Sequence, residues 1–435
     1  MKEENNLQGN KKNTLIINYP VLMVGGVETY FVALMKSCIA KGYRVVWITS
    51  ERFLNKIAFE GLLNNPGLEI VLTRSWMHYL DTPRISLSED ERVIMFTCEP
   101  IEYILSDKIR TEANTKQFIH YLAVPNFTGN DYYPDRYLKN KWLKKAAYRY
   151  LQKILRRVAE NGCILGFAPK HLINYEDYYQ IPIPDKERNL VPSFNDEEQV
   201  SFDLENAKVR LSERHERFVI TSCARFVFPH KAYLLGLVDA FAKVKEKHPQ
   251  AVLQLVGYGP GQQELENKIM VQPETVRRDI HLLGMLTPDA LEQCYKDSHL
   301  IVGLAGAIID GARCGIPSLV VRHYNENCEA YGFLDEVPEK TLSEEPGDDI
   351  VPLIEECINM EWEAYLEHVE KGYQIVEFYK NAGDNSLIKR FEKTKKQCPG
   401  FVKSFLEELG AEILYVACTV LKRLENRNIN NESEN

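Results

Sequence analysis

Thr221-Ser-Cys-Ala-Arg225-Phe-Val-Phe-Pro-His-Lys231 follows the apolar run Phe218-Val219-Ile220 and precedes an amphipathic pattern from Tyr233 to Lys245. The order reads as strand, loop, helix, with two cations in the loop. In an open α/β sheet, ligands bind in the crevice beyond the carboxyl ends of the strands. Backbone amides at a helix N-terminus already favour an anion there. An Arg six residues before a Lys adds a forked donor and a compact charge, a pair suited to a diphosphate. Taken alone, such a pair is more often two solvated surface cations. The flanking sequence changes that balance.

Apolar runs and helical patterns alternate on both sides of this stretch. Toward the N-terminus the strand candidates are Leu15–Ile17, Arg44–Thr49, Leu68–Leu72, Val93–Phe96, Phe118–Ala123 and Cys163–Phe167, with a helix from about Glu28 to Lys41. Toward the C-terminus they are Phe218–Thr221, Val252–Val256, Ile280–Leu283, Leu300–Val302 and Ser318–Val321, with helices near 232–247, 261–270, 288–296 and 307–314. Short apolar runs between helices indicate parallel strands covered on both faces. The segment Met77–Arg92 fits no element well. Between Pro192 and Arg217 the periodicity lapses into polar, acidic sequence, and a boundary is placed there. The chain is divided into an N-terminal Rossmann-like domain (1–195), a second Rossmann-like domain (196–375) and C-terminal helices with a polar tail (376–435) that pack back on the N-terminal domain. Within the last part Asp384–Lys396 reads as a charged helix broken at Pro399-Gly400. Phe405, Leu409, Ile413, Val416 and Val420 recur at helical spacing, and the favoured reading turns that row toward the core rather than toward a membrane surface.

Bulk properties agree with this plan. A chain of 435 residues exceeds one ordinary core. Its 45% hydrophobic and 26% charged residues suit a globular protein, and a net charge of −9 argues against a general nucleic-acid binder. The ten cysteines are single, with no C-x-x-C pair, which suits a reducing cytoplasm and argues against a zinc knuckle. The polar N-terminal stretch lacks a signal-like apolar segment, and no run reaches the ~20 apolar residues of a membrane span.

Two glycine-rich turns lie further along. Val256-Gly257-Tyr258-Gly259-Pro260-Gly261 follows a strand and opens a helix, and its glycines permit a tight turn and close backbone approach. A plain structural turn is at least as common a meaning for it. The second, Gly303-Leu304-Ala305-Gly306-Ala307-Ile308-Ile309-Asp310-Gly311-Ala312-Arg313-Cys314-Gly315-Ile316-Pro317, runs from a strand end through a glycine loop into a short helix. Amides of the Gly303–Ala307 loop can meet phosphate oxygens. Asp310 can accept from a ribose diol, or simply partner the helix dipole.

In combination, R-x5-K, then G-x-G-P, then a glycine loop with an acidic residue five before Gly-x-Pro resembles the C-terminal domain of GT-B-fold glycosyltransferases. The likeness is strongest to the large retaining family four. The resemblance covers about residues 12–375, clear in the second half and thin between 50 and 190. It implies two Rossmann-like domains facing across a cleft. It assigns Arg225 and Lys231 to the donor diphosphate and Asp310 to the ribose, with Gly257, Gly259, Gly303, Gly306 and Ala307 around the nucleotide. Gly25-Gly26-Val27-Glu28 is similar to the family's G-G-x-E loop, so Gly25 and Gly26 join the donor set. His120 falls loosely near the family's N-domain active-site histidine; a satisfied core histidine is about as good a reading. Three departures stand out: Asp310 replaces the usual Glu, Gly311 the usual Ala, and Val302 stands where a second Glu is expected.

The implied function is transfer of a sugar from a nucleotide-diphosphate-sugar to a hydroxyl acceptor, a cell-surface glycan or a lipid-linked saccharide, with retention of configuration. No cofactor is expected, since the nucleotide sugar is a substrate. No metal is expected either, as the chain carries no Asp-x-Asp motif. An inactive partner or scaffold subunit and a nucleotide-sugar epimerase remain as alternatives. Finally, Lys139, Lys141, Lys144, Lys145, Arg149, Lys153, Arg156 and Arg157 fall in one helical stretch over 138–158, with Leu138, Trp142, Tyr150, Ile154 and Val158 on one face. Such a helix either docks on the core with a solvated outer face or meets an anionic membrane surface. The location expected is therefore cytoplasmic, with peripheral contact at the inner face of the membrane as a further expectation.

Overall fold

Every apolar run read as a strand forms one. A computed structural model describes residues 13–20, 26–50, 59–74, 77–81, 83–88, 91–109, 118–124, 132–167, 169–186, 189–190, 204–341, 343–381 and 405–432. The chain divides into two compact units. The first comprises Met1–Met23, Val27–Asn195 and Ala382–Asn435; the second comprises Val24–Gly26 and Asp196–Asn381.

Unit 1 is built on β1 (Asn13–Asn18), β2 (Arg44–Ser50), β3 (Leu68–Thr73), β4 (Arg92–Thr97), β5 (Phe118–Val124) and β6 (Ile164–Gly166), in the order β3-β2-β1-β4-β5-β6. All pairings are parallel, in registers such as Leu15↔Val45 and Ile16↔Met95. The central strands are buried along their length, because helices α1 (Gly26–Ala40), α2 (Glu60–Leu63), α3 (Pro100–Ser106), α4 (Lys141–Glu160) and α5 (Pro169–Tyr179) supply the covering layers. Edge strand β3 is the half-exposed one.

Unit 2 opens with α6 (Leu204–Glu213), inside the stretch where sequence periodicity lapses. Its strands are β7 (Phe218–Cys223), β8 (Ala251–Val256), β9 (Ile280–Gly284), β10 (Leu300–Gly303), β11 (Ser318–Val321), β12 (Glu329–Phe333) and β13 (Asp348–Asp349), ordered β13-β12-β11-β10-β7-β8-β9. Helices α7 (Tyr233–Lys247), α8 (Gln262–Met270), α9 (Glu274–Arg277), α10 (Pro288–Lys296), α11 (Gly306–Arg313), α12 (Ile350–Asn359) and α13 (Trp362–Asn381) complete it. The sheet is parallel from β9 to β11, and the two strands beyond, β12 and β13, are antiparallel. Its core joins Phe218, Ile220, Leu253 and Leu255 of the strands to Leu237 and Phe241 of α7. The chain leaves β7 toward β8 and β9, then returns to β10 on the other side. The strand order therefore reverses between β7 and β10, which is the switch point of a doubly wound sheet.

Helix α13 runs unbroken through residue 375, so the expected 375/376 boundary falls inside a helix. The charged stretch Asp384–Lys396 and the break at Pro399-Gly400 lie outside the described residues. The C-terminal helix, Phe405–Glu432, packs chiefly on α3 and reaches α4 through Glu407: Tyr150 Oη donates to the Glu407 carbonyl, and Arg157 Nη2 meets Glu407 Oε1 at 2.9 Å. Its orientation corrects the sequence reading. Ala411, Tyr415 and Cys418 are buried, with Tyr415 edge-on to Tyr79. Phe405, Leu409, Ile413, Val416 and Val420 are exposed. The helix has two apolar faces, and periodicity alone could not say which one the core would take. Among the described residues, no helix is long and apolar enough to cross a membrane.

Candidate functional site

Four loops converge at the carboxyl ends of β7 and β10, beside the switch point. The first is the quoted loop after β7. Hydrogen bonds from Ala224 N–H to the Val256 carbonyl (3.0 Å) and from Phe226 N–H to the Tyr258 carbonyl (2.9 Å) extend the β7–β8 pairing past the strand ends and fix Arg225 between them. Lys231 is placed by its own amide, which donates to the Val227 carbonyl at 2.8 Å, and by α7, which starts two residues later.

The second loop, Gly257–Gly261, supports the first. A Cβ on Gly257 would lie 1.8 Å from the Ala224 carbonyl oxygen, and one on Gly259 would lie 2.3 Å from that of Phe226. Both glycines also have positive φ, 143° and 158°. The close approach they permit is to the Arg225 loop itself. The third loop, Gly303–Ala307, enters α11 through Ala305, whose φ of 48° is rare for a residue with a side chain. The Ala305 amide donates to the Thr341 carbonyl and that of Ala307 to the Leu304 carbonyl, so two of the amides expected to meet phosphate are already engaged. No side chain caps α11, whose N-terminal end keeps its positive dipole. A Cβ on Gly303 would make only ordinary contacts, and one on Gly306 would meet nothing. Gly311 has a different role: a Cβ there would lie 2.5 Å from Ile301, so the glycine lets α11 lie close on β10.

The electrostatics tie these residues together. Burial, then the neighbouring Arg225 charge, lowers the Lys231 ammonium to about 8, with Cys223 acting weakly the other way. His230 falls to about 4 through burial and the charges of Lys231 and Arg225, so it is neutral at pH 7. Burial pushes the Cys223 thiol up to about 12; Tyr295 hydrogen-bonds it, Asp310 raises it and Lys231 lowers it. Asp310 therefore lies within electrostatic reach of the Cys223–Lys231 group, and Arg313 Nε is 4.0 Å from its carboxylate. Among the described residues Lys231 enters no ion pair, and like charges held together in this way suit an anion.

The fourth loop, after β11, was not legible in the sequence. His323 meets the His230 ring edge-on at 4.4 Å, and Tyr324 Oη lies 3.4 Å from His230 Nδ1. Gly236 of α7 seats this loop, since a Cβ there would lie 2.3 Å from the Glu326 carbonyl oxygen. Position 230, directly before Lys231, was the one available signal, and it says nothing about which residues pack against it.

The remaining expected residues belong to unit 1 or its margin. His120 is 1% exposed, with Nε2 3.1 Å from Thr97 Oγ1, Nδ1 3.4 Å from Asp107 Oδ1, and its ring stacked on Tyr103 at 3.9 Å. This is the geometry of a satisfied core histidine. Gly25 lies outside the described residues, and Gly26 begins α1. Glu28, two residues on, is buried and accepts from Tyr19 Oη at 3.2 Å.

No protein-family model matches the sequence, and no curated protein matches it either. Solved structures do. HepE from Anabaena, solved in complex with UDP, is similar with a TM-score of 0.58 at 13% identity, over 88% of this chain and 100% of that one. Sucrose-phosphate synthase from Thermosynechococcus elongatus gives 0.57 at 14% identity, over 87% and 97%. Trehalose-6-phosphate synthase OtsA gives 0.56 at 8% identity, over 88% and 99%. Likeness at such low identity is a likeness of fold, and function has to be argued from the site. With two parallel-rich sheets clothed in helices, this chain has the α/β fold of GT-B glycosyltransferases.

Proposed function

We propose that this protein is a glycosyltransferase that takes a sugar from a nucleotide-diphosphate-sugar and passes it to a hydroxyl acceptor with retention of configuration. The observation that carries the reading is the placement of Arg225 and Lys231 in one loop at the switch point of unit 2, where burial and then the Arg225 charge lower the Lys231 ammonium. In this reading the donor diphosphate lies against Arg225 and Lys231, with the N-terminal end of α11 beside it and Asp310 turned to the ribose. Negative charge accumulates on the leaving diphosphate as the glycosidic bond breaks. Two preorganised cations stabilise that charge, and one such contact is worth about 3 kcal/mol of barrier. The cations carry the neutralisation themselves, so the proposal calls on no metal. Neutral His230 leaves the charge to its neighbours and closes one side of the site. In the same reading, unit 1 receives the acceptor.

HepE was solved in complex with UDP, which makes UDP the first nucleotide to try. Calorimetry with UDP and the other common nucleoside diphosphates tests the site directly. Binding that disappears in Lys231→Ala, while the far-ultraviolet spectrum is unchanged, supports the assignment. Failure of every nucleoside diphosphate to bind rejects it. Binding without any sugar release or transfer would instead identify a partner subunit that keeps the fold and has lost the chemistry; the Asp310 and Val302 departures make that the reading to compare.

A further inference from the structure

Unit 1 carries a second surface that the transferase reading does not use. On α4, Trp142 does not join Ile154 and Val158 on the buried face as the sequence suggested, because it lies more than roughly 100° round the helix from them. It shares an exposed face with Lys145, Arg149, Lys153 and Arg156, itself exposed by 75%. Two other cations of the helix are engaged, Lys144 with Asp135 at 2.8 Å and Arg157 with Glu407 at 2.9 Å. Among the described residues, Lys145, Arg149, Lys153 and Arg156 enter no ion pair.

The C-terminal helix lies alongside. Glu407 meets Arg157 and Tyr150, and a Cβ on Gly410 would lie 3.0 Å from the Tyr150 ring. Both helices turn their buried faces inward (Leu151, Ile154 and Val158 on α4; Ala411, Tyr415 and Cys418 on its neighbour). Each helix keeps an exposed face opposite its buried one, and the two touch through Tyr150, Arg157 and Glu407, so the two exposed rows lie on neighbouring helices of one unit. The outward face of the C-terminal helix is Phe405, Leu409, Ile413, Val416 and Val420, with Phe405 exposed by 77% and Ile413 by 63%. A row of large apolar side chains beside a row of unengaged cations, with a tryptophan at one end, matches the layered chemistry of a bilayer surface. The cations also single out an anionic leaflet within an otherwise acidic chain.

We infer that this two-helix surface docks unit 1 on an anionic lipid bilayer. The apolar row of the C-terminal helix enters the acyl boundary, and the α4 cations meet headgroup phosphates. Cations near such a surface contribute about a factor of five each to partitioning, and their share fades with salt.

The test is flotation of the full chain with vesicles of phosphatidylcholine alone and with one-third phosphatidylglycerol, alongside light scattering without lipid. The wild-type chain is expected to float with the anionic vesicles and not with the neutral ones. Combined Lys145→Glu, Arg149→Glu and Lys153→Glu is expected to lower binding roughly 100-fold. Ile413→Asp with Val416→Asp is expected to lower it at least about tenfold, with melting unchanged because both side chains face solvent. Wild-type binding by either variant, or no anionic preference, overturns the proposal. So does a stable dimer that Ile413→Asp with Val416→Asp converts to monomer, because the row would then be a contact between copies. The readout is lipid binding, so it can fail while the diphosphate site of unit 2 holds, and the reverse.

Discussion

His120 and His230 both follow apolar sequence, and their surroundings could hardly differ more. His120 in unit 1 rests between Thr97 and Asp107 under the Tyr103 ring. His230 in unit 2 is pushed down by burial and then by the neighbouring charges of Lys231 and Arg225. The pattern extends beyond the two rings. In unit 1, Glu91 accepts from Thr14 and Ser88 and faces Arg44, which also meets Glu69 at 2.8 Å. In unit 2, Arg225, His230 and Lys231 gather in the loop after β7, His323 of the loop after β11 meets the His230 ring, and Asp310 acts on Cys223. Stable folds normally satisfy their ionisable groups, and partly buried like charges side by side are where the proposed diphosphate would act.

Breaking the contrast should have its largest effect at Arg225 and Lys231. Either residue changed to Ala is expected to lower sugar transfer by 100-fold or more, on the order of 3 kcal/mol of barrier. Steady-state kinetics under saturating acceptor check this, and near-normal turnover would sink the assignment. His120→Ala tests the other side. Losing a stacked, doubly bonded core ring should cost roughly 3 kcal/mol of stability, while nucleotide affinity stays within about twofold. Denaturant midpoints and calorimetry read both quantities. A variant that keeps its stability and loses turnover would return His120 to the catalytic residues.

Lys231→Met sharpens the comparison from the stability side. An ordinary lysine titrates near 10.4, and the folded value is about 8. The unfolded chain therefore binds more protons between those values, so stability rises with pH across that window and the full penalty is present below pH 8. Removing the charge should stabilise the protein at pH 7 on the order of 2 kcal/mol, a figure reduced for the partial exposure of the group. Melting at pH 7 and pH 9 tests it: the wild-type chain should gain between the two and the variant should not. Nucleoside diphosphate affinity should run the opposite way, falling as pH rises through 8. The smallest effect is expected at Ala305→Gly, which relieves a positive φ and should add roughly 1 kcal/mol.

How much of this the sequence disclosed follows from which physics writes itself into residue order. Parallel strands covered on both faces must be continuously apolar, so Leu15–Ile17 and Phe218–Ile220 were plain. Strand β12, Glu-Ala-Tyr-Gly-Phe at 329–333, pairs antiparallel near a sheet edge, where polar residues are tolerated, and it was missed. Arg225 and Lys231 could be placed together in the loop after a strand from residue order, read with the glycine turns that follow; their role is the proposal. Cys223, Tyr295 and His323 were not, since their proximity comes from the return of the chain to β10 and β11. The exposed row on the C-terminal helix was legible as a row and misread in direction, because a one-dimensional period carries no record of what lies opposite it.

One consequence follows from the missing side chains at 257 and 259. The main chain of that turn rests directly on the main chain that bears Arg225. Any substituent there would act as a shim, pushing the guanidinium out of place while leaving every charged residue intact. A defective variant would thus carry a complete set of charged side chains, and its defect would be one of spacing rather than of chemistry.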